Sequence, residues 1–363
     1  MHGDTDIMSE ENQQLVEVLE AHRFDEGKLA AYLKEHLPEE FGGDLDVKQF
    51  QGGQSNPTYL LSSGGRRYVL RKKPPGKLLP SAHQVEREYK VMSALRDTDV
   101  PVPEMLLLCE DDAVIGTPFY IMRYIEGRVF SHPALDEVPR EERRAIFEAK
   151  ADAMARLHKV DYEAVGLGDF GKPGNFLGRQ IGRWTKQYEA SKTGEIASME
   201  KLMKWLPENI PADSDETTIA HGDYRLGNLM LHPERSEVIA VLDWELCTLG
   251  HPLSDLAYCC IPYHLPSGVP GVRGISDLDL AERGLPTEQE FVEMYCRKAG
   301  RDQGIRDWPF YTAFALFRLA AIIQGVYKRA LDGNASNADA INVGDGAVIM
   351  ADAAWREAQR LQK

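Results

Sequence analysis

Cysteine is scarce in this 363-residue chain: there are five, an odd number, and none stands in a Cys-x-x-Cys pair. That usage excludes a disulfide scaffold and a cysteine-based zinc site and fits a reducing compartment. No run approaches the roughly 18 apolar residues of a membrane span, and the acidic N-terminus has no apolar signal region. The expectation is a cytoplasmic protein with no membrane partner. Basic residues are also in the minority, 42 against 57 acidic for a net charge of −15, which argues against a nucleic-acid backbone as the main partner. Internal repeats are absent as well. A hydrophobic content of 43% marks a globular chain, and its length exceeds one typical domain, so two lobes are expected.

What is present is concentrated between His221 and Asp243. Phosphoryl transfer needs an in-line hydroxyl and divalent cations that neutralise charge between phosphates, so carboxylate and amide oxygens must converge. Asp223 and Asn228 lie five apart in a segment too rich in glycine and polar residues for a regular helix. From one loop, Asp223 would accept or orient the acceptor's hydroxyl proton, and Asn228 would offer a hard amide oxygen to Mg²⁺. The apolar runs Leu229 to Leu231 and Val238 to Leu242 read as two buried strands joined by the polar turn 232–237. Asp243, at the end of the second, is the natural second metal ligand, with Glu245 as a further carboxylate nearby. An ordinary polar turn and a helix cap are the plain alternative for these residues.

The His-Gly-Asp loop is similar to the catalytic loop of protein kinases, with Gly222 where they usually carry arginine. It more closely resembles that of the aminoglycoside phosphotransferase and choline kinase superfamily. The continuation through Val241-Leu242-Asp243-Trp244-Glu245 to Asp255-Leu256-Ala257 resembles most the kinase-like domains associated with acyl-CoA dehydrogenases. The likeness runs from about Phe50 to Asp255, and no Asp-Phe-Gly segment ending in Ala-Pro-Glu is present. The resemblance implies an α+β, protein-kinase-like two-lobed fold: an antiparallel-sheet lobe with a helical extension over 1–124, and a mainly helical lobe over 125–363. It implies ATP and Mg²⁺ as cofactors. It puts Arg71 where the family has a phosphate-binding lysine, favours Glu88 over Glu86 as that cation's partner, and makes Arg123, Tyr124 and Ile125 the hinge whose backbone meets the adenine. Arg225 falls where many protein kinases carry a lysine that meets the transferring phosphate.

The remaining expectations follow the chain. Residues 9–37 show two amphipathic helical patterns. Strand patterns at 45–50 and 58–61 flank Gly52, Gly53, Gln54, Ser55 and Asn56, where glycine backbone N–H groups and the three polar side chains would approach phosphate. A third strand at 68–72 follows a glycine turn, and the basic residues Arg66, Arg67, Arg71, Lys72, Lys73 and Lys77 cluster around it. On a strand, Lys72 must point opposite to Arg71. Helices are expected at 82–96, 141–159 and 179–191, with His158 as a C-terminal cap; Arg179, Arg183, Trp184 and Gln187 share one face of the last, read either as a face for an anionic acceptor or as a solvated helix side. Asp255 is expected to cap a helix at 256–263 and brace the catalytic loop. A Pro- and Gly-rich acceptor-side lid is expected at 261–285, then helices at 288–300, 308–331 and 338–360.

The expected function is ATP-dependent phosphorylation of a hydroxyl on a small metabolite, with a hydroxyacyl or lipid-derived compound as first acceptor. A catalytically silent nucleotide- or metabolite-binding module and an aminoglycoside-type antibiotic kinase are the alternatives. The oligomeric state is not readable.

Overall fold

The computed structural model describes residues 15–51, 56–74, 83–212, 214–269, 271–333 and 338–361. It divides into two compact units, 1–131 with 230–233 and 239–245, and 132–229 with 234–238 and 246–363.

The first unit is built on strands β1 (Leu15–Val16), β2 (Leu45–Phe50), β3 (Thr58–Ser63), β4 (Arg66–Lys72), β5 (Met105–Cys109) and β6 (Phe119–Arg123), with helices α1 (Glu26–His36), α2 (Val85–Leu95) and α3 (Asp112–Ile115). The sheet is antiparallel in the order β1-β2-β3-β4-β6-β5. Its tight β3–β4 turn is made by Gly64 and Gly65, whose φ of 56° and 76° only glycine adopts without strain. Strand alternation sorts the side chains into two faces. Tyr59, Leu61, Tyr68, Leu70, Phe119 and Ile121 join Leu29 and Leu33 of α1 in one buried cluster, so Lys72 shares that face and its ammonium lies 5.9 Å from the Phe24 ring. Arg71 and Tyr120 are left for the face that carries α2.

The first expected helix is not formed. Leu15 and Val16 instead extend the sheet opposite Phe50 and Gln49, and the Gln49 side chain takes the Leu19 N–H. Pairing with an open sheet edge outweighs the weak helical period of so short a segment; residues 9–14 lie outside the described residues.

The second unit is mostly helical: α4 (Arg140–Lys159), α5 (Phe176–Ser191), α6 (Ala197–Glu208) and strand β7 (Thr218–Ala220) come first. The hairpin β8 (Leu229–Leu231) and β9 (Val238–Val241) forms as expected and falls mostly in the first unit, while in the second β10 (Thr248–Gly250) pairs with β7. Helices α7 (Pro252–Cys260), α8 (Glu288–Ala299), α9 (Trp308–Leu331) and α10 (Gly344–Arg360) complete it. Ile146, Phe147, Ala151, Met154 and Leu157 of α4 are buried, matching the expected face. Helix α9 is long and apolar enough to cross a membrane, but 83% of its apolar window is buried inside the protein. The expectation of no span-length apolar stretch therefore missed it, and burial among neighbouring helices accounts for its composition. All five cysteines are buried and none forms a disulfide.

Candidate active site

In the first unit, the site is centred on Arg71. Its Nε lies 3.0 Å from Glu88 Oε2, and its Nη2 donates to Asp243 Oδ1 at 3.0 Å. Glu88 sits on the sheet-facing side of α2 and also accepts from Tyr120 Oη (3.0 Å) and Asn56 Nδ2 (2.9 Å). Burial, with Asp243 adding to it, pushes the Glu88 carboxyl above its usual range against the pull of Arg71 and Tyr120. Burial also works against the Arg71 cation, yet Glu88 and Asp243 hold it firmly charged. Glu86, the other candidate, pairs with Lys73 at 2.6 Å. Asp243 has φ +63°, a left-handed backbone that an aspartate holds only under local constraint.

The remaining nucleotide-side expectations fare differently. Gly52, Gly53, Gln54 and Ser55 lie outside the described residues. Asn56 is fully buried and turned to Glu88, and its Oδ1 has no hydrogen-bond partner. Its amide N–H braces the Arg71–Glu88 ion pair. Arg123 ends β6 with its guanidinium on Glu40 and Glu104, and its own N–H pairs with the Glu104 carbonyl. The Tyr124 N–H donates to the Arg67 carbonyl. Lys77 lies outside the described residues, and among those described the expected basic cluster is not a patch. Arg66 pairs with Glu40, Arg67 with Glu126, and Lys72 is buried on the opposite face of the sheet.

In the second unit, the loop after β7 presents Asp223. Arg225 Nε lies 3.1 Å from its Oδ2, Asn228 Nδ2 donates to the same oxygen at 2.9 Å and to the Asp223 carbonyl at 2.8 Å, and the Tyr258 hydroxyl donates to the carboxylate. Burial raises the Asp223 pKa, but Arg225, Tyr258 and His221 together bring it below the usual aspartate value. With its amide nitrogen turned to Asp223, Asn228 keeps Oδ1 as the atom left for a cation. This orientation follows from the hydrogen-bond network.

The loop is pinned from below. Buried Asp255 accepts the backbone N–H of His221 (2.6 Å) and Gly222 (2.9 Å), and His158 Nε2 lies 3.3 Å from its Oδ2. His221 takes the Asp223 N–H on Nδ1 at 3.2 Å, a structural role as expected. Gly222 has φ +85°, and a Cβ there would meet the Leu246 carbonyl at 2.5 Å. Asp255 braces the loop but does not cap α7, which starts earlier than expected because Pro252 occupies its first turn and His251 supplies the cap. His158 is no surface cap either, since its ring is buried between Asp255 and the Tyr295 hydroxyl. Sequence reading did not single out Tyr258 and Arg318. Arg318 Nη2 donates to the Gly222 carbonyl at 2.7 Å, and its place within an apolar helix was the signal that could have revealed it.

These features define a member of the kinase-like phosphotransferases. Residues 46–311 match the model of the phosphotransferase enzyme family, and the chain belongs to that family. It is 49% identical over 327 residues to acyl-CoA dehydrogenase family member 10 of Mus musculus, covering 90% of this chain and 30% of that protein. Against family member 11 of Rattus norvegicus it is 44% identical over 328 residues, 89% of this chain and 42% of the relative. The chain thus spans less than half the length of these curated relatives. A crystal structure from Ralstonia eutropha that carries the aminoglycoside-phosphotransferase name superposes with a TM-score of 0.85 at 48% identity, covering 93% of this chain and 99% of that one. The fold is the kinase-like fold of aminoglycoside phosphotransferases: an antiparallel-sheet part followed by a helical part.

Proposed function

We propose that the protein transfers the γ-phosphoryl group of ATP to a hydroxyl of a small metabolite. The observation that carries this reading is Asp223: an ionised, largely buried carboxylate held by Arg225, Asn228 and Tyr258 on a loop pinned through Asp255. Such a group can orient an acceptor hydroxyl and take its proton. Arg225 offers positive charge where it develops on the transferring group. Arg71, oriented by Glu88, is assigned to the nucleotide phosphates, where its fork replaces the point charge of a lysine. Backbone groups from Arg123 to Ile125 are assigned to the base. Gly52, Gly53, Gln54 and Ser55 keep their assignment to the phosphates on sequence grounds.

Asn228 Oδ1 and the Asp243 carboxylate are assigned to Mg²⁺, which when bound neutralises charge between phosphates. Among the described residues no group of three or more His, Cys, Asp or Glu could hold a metal by itself. That donor set suits a cation completed by phosphate oxygens. Solved relatives of the same fold support the nucleotide assignment, one described as a complex with AMP-PNP and hygromycin B. The acyl-CoA dehydrogenase names of the curated relatives make a hydroxyacyl or other lipid-derived compound the first acceptor to test.

The test is incubation with Mg²⁺, ATP and pooled hydroxylated metabolites, followed by mass spectrometry beside Asp223→Ala. A phosphorylated product made by wild type alone supports the reading. Tight ATP binding with no product from any pool argues for a silent binding module.

A further inference from the structure

Beside Asp223 lies a group of arginines with little counter-charge. The guanidinium carbons of Arg183 and Arg318 lie 5.4 and 5.5 Å from the ring centre of Trp184, and Arg318 is also 5.1 Å from the ring centre of Tyr258. Trp184 is buried, with its indole N–H on Gln180, so it forms a fixed wall. Arg318 Nη2 is engaged by the Gly222 carbonyl, but its Nε is buried without a hydrogen-bond partner. Burial and the neighbouring Arg318 both pull the Arg183 guanidinium below its usual range, and no carboxylate acts the other way. Arg273 is likewise pulled down, by burial and by Arg225, with Glu137 opposing. Like charges on an aromatic wall repel each other and strand a buried donor, a cost that an arriving anion reverses.

We propose that Arg183 and Arg318, backed by Trp184, form an anion subsite for the acceptor, so that the acceptor is a hydroxy compound bearing a carboxylate or phosphate. This rests on the phosphotransfer reading above. Tyr258 sets the spacing, because its ring lies against Arg318 while its hydroxyl is on Asp223. The anion therefore sits about one tyrosine ring from the reacting hydroxyl, the reach of a short hydroxy acid or hydroxyalkyl phosphate. The buried Nε–H of Arg318, which has no hydrogen-bond partner, offers a charge-assisted donor to one oxygen of either group. The same arginines disfavour a polycationic aminoglycoside.

Two experiments separate this proposal from the reading beneath it. The first titrates wild type, Arg183→Gln and Arg318→Gln with butyrate, butyl phosphate and neutral butyramide, read by calorimetry and by Trp184 fluorescence against a Trp184→Phe blank. Binding of an anion but not butyramide, weakened about tenfold or more in either variant, is expected. Which anion binds more tightly distinguishes carboxylate from phosphate. The Arg183 side chain, unlike that of Arg318, holds no backbone carbonyl among the described residues, so its variant remains informative should Arg318→Gln not fold. Equal binding of butyramide, binding unchanged in Arg183→Gln, or no binding of either anion overturns the subsite. The second compares phosphorylation of hydroxy acids and hydroxyalkyl phosphates with their neutral amides and alcohols. Equal kcat/KM for charged and neutral partners overturns the subsite and leaves phosphotransfer standing. Anion binding at the arginines with no product from any compound overturns phosphotransfer and leaves the subsite.

Discussion

Asp223 is the residue to which the proposed chemistry is assigned, and its surroundings hold it ionised. Its pKa is lowered, so it is ionised throughout the neutral range, and the acid limb of kcat/KM should fall below the ordinary aspartate value of about 4. Tyr258→Phe removes one of the groups holding that pKa down, so the acid limb should move to higher pH in a pH–rate profile. Asp223→Asn should lower kcat by about a hundred- to ten-thousandfold while ATP still binds, as steady-state kinetics and nucleotide titration would show. Two histidines away from the site govern stability. Burial disfavours the charged form of His264, but Glu288 and Glu357 outweigh it and raise its pKa to about 9. Its contribution is full below the unfolded value near 6.5, is lost as pH rises through about 9, and amounts to at most about 3 kcal/mol. His251 is lowered by burial to about 4, so protonation of the unfolded chain erodes stability as pH falls from about 6.5 toward 4. Denaturant melts across this range should therefore peak near pH 6.5, and His264→Gln should flatten the alkaline side alone.

Among the elements, the loop between β7 and β8 depends on α7 and α9 for its shape. Asp255 of α7 satisfies two loop N–H groups, and Arg318 of α9 takes the Gly222 carbonyl. Asp255→Ala should leave those donors buried and unpaired, costing roughly 3–5 kcal/mol in chemical denaturation, whereas Asp223→Asn should cost far less. Gly222→Ala should lose both stability and activity, because its backbone is left-handed and its Cβ would strike the Leu246 carbonyl. The loop, its hairpin and most helices were legible in the sequence because each rests on a local pattern, residue spacing, strand alternation or helical period, whereas Glu88 as partner of Arg71 came from the family resemblance. Less legible was what depends on distant partners. Nothing local shows that Asn56 turns to Glu88, that His158 is buried under Asp255, that Val16 adds to a sheet edge, or that Tyr258 reaches Asp223.

For the whole molecule, an acidic net charge coexists with arginines gathered near Asp223, so bulk charge misstates what the acceptor side attracts. The fold class was legible through the resemblance carried by the His221–Ala257 motif, with the switch from strand period to helical period in agreement. The apolar content of α9 was misjudged because its few polar residues interrupt the run without making it less buried. Binding of Mg²⁺ and a non-hydrolysable ATP analogue together should raise the melting temperature more than either alone, by a stabilisation of about 2.7 kcal/mol at a hundredfold excess over Kd. Asp243→Asn should reduce that synergy, leaving the shift from nucleotide alone nearly unchanged in differential scanning calorimetry.

The bond from Arg71 to Asp243 has one more implication. The carboxylate proposed for the metal is already paired with a cation that the chain supplies. Mg²⁺ held there would compete with a tethered guanidinium, so its affinity for the site would be weaker than the carboxylate's own and would strengthen if a polyphosphate drew the arginine away.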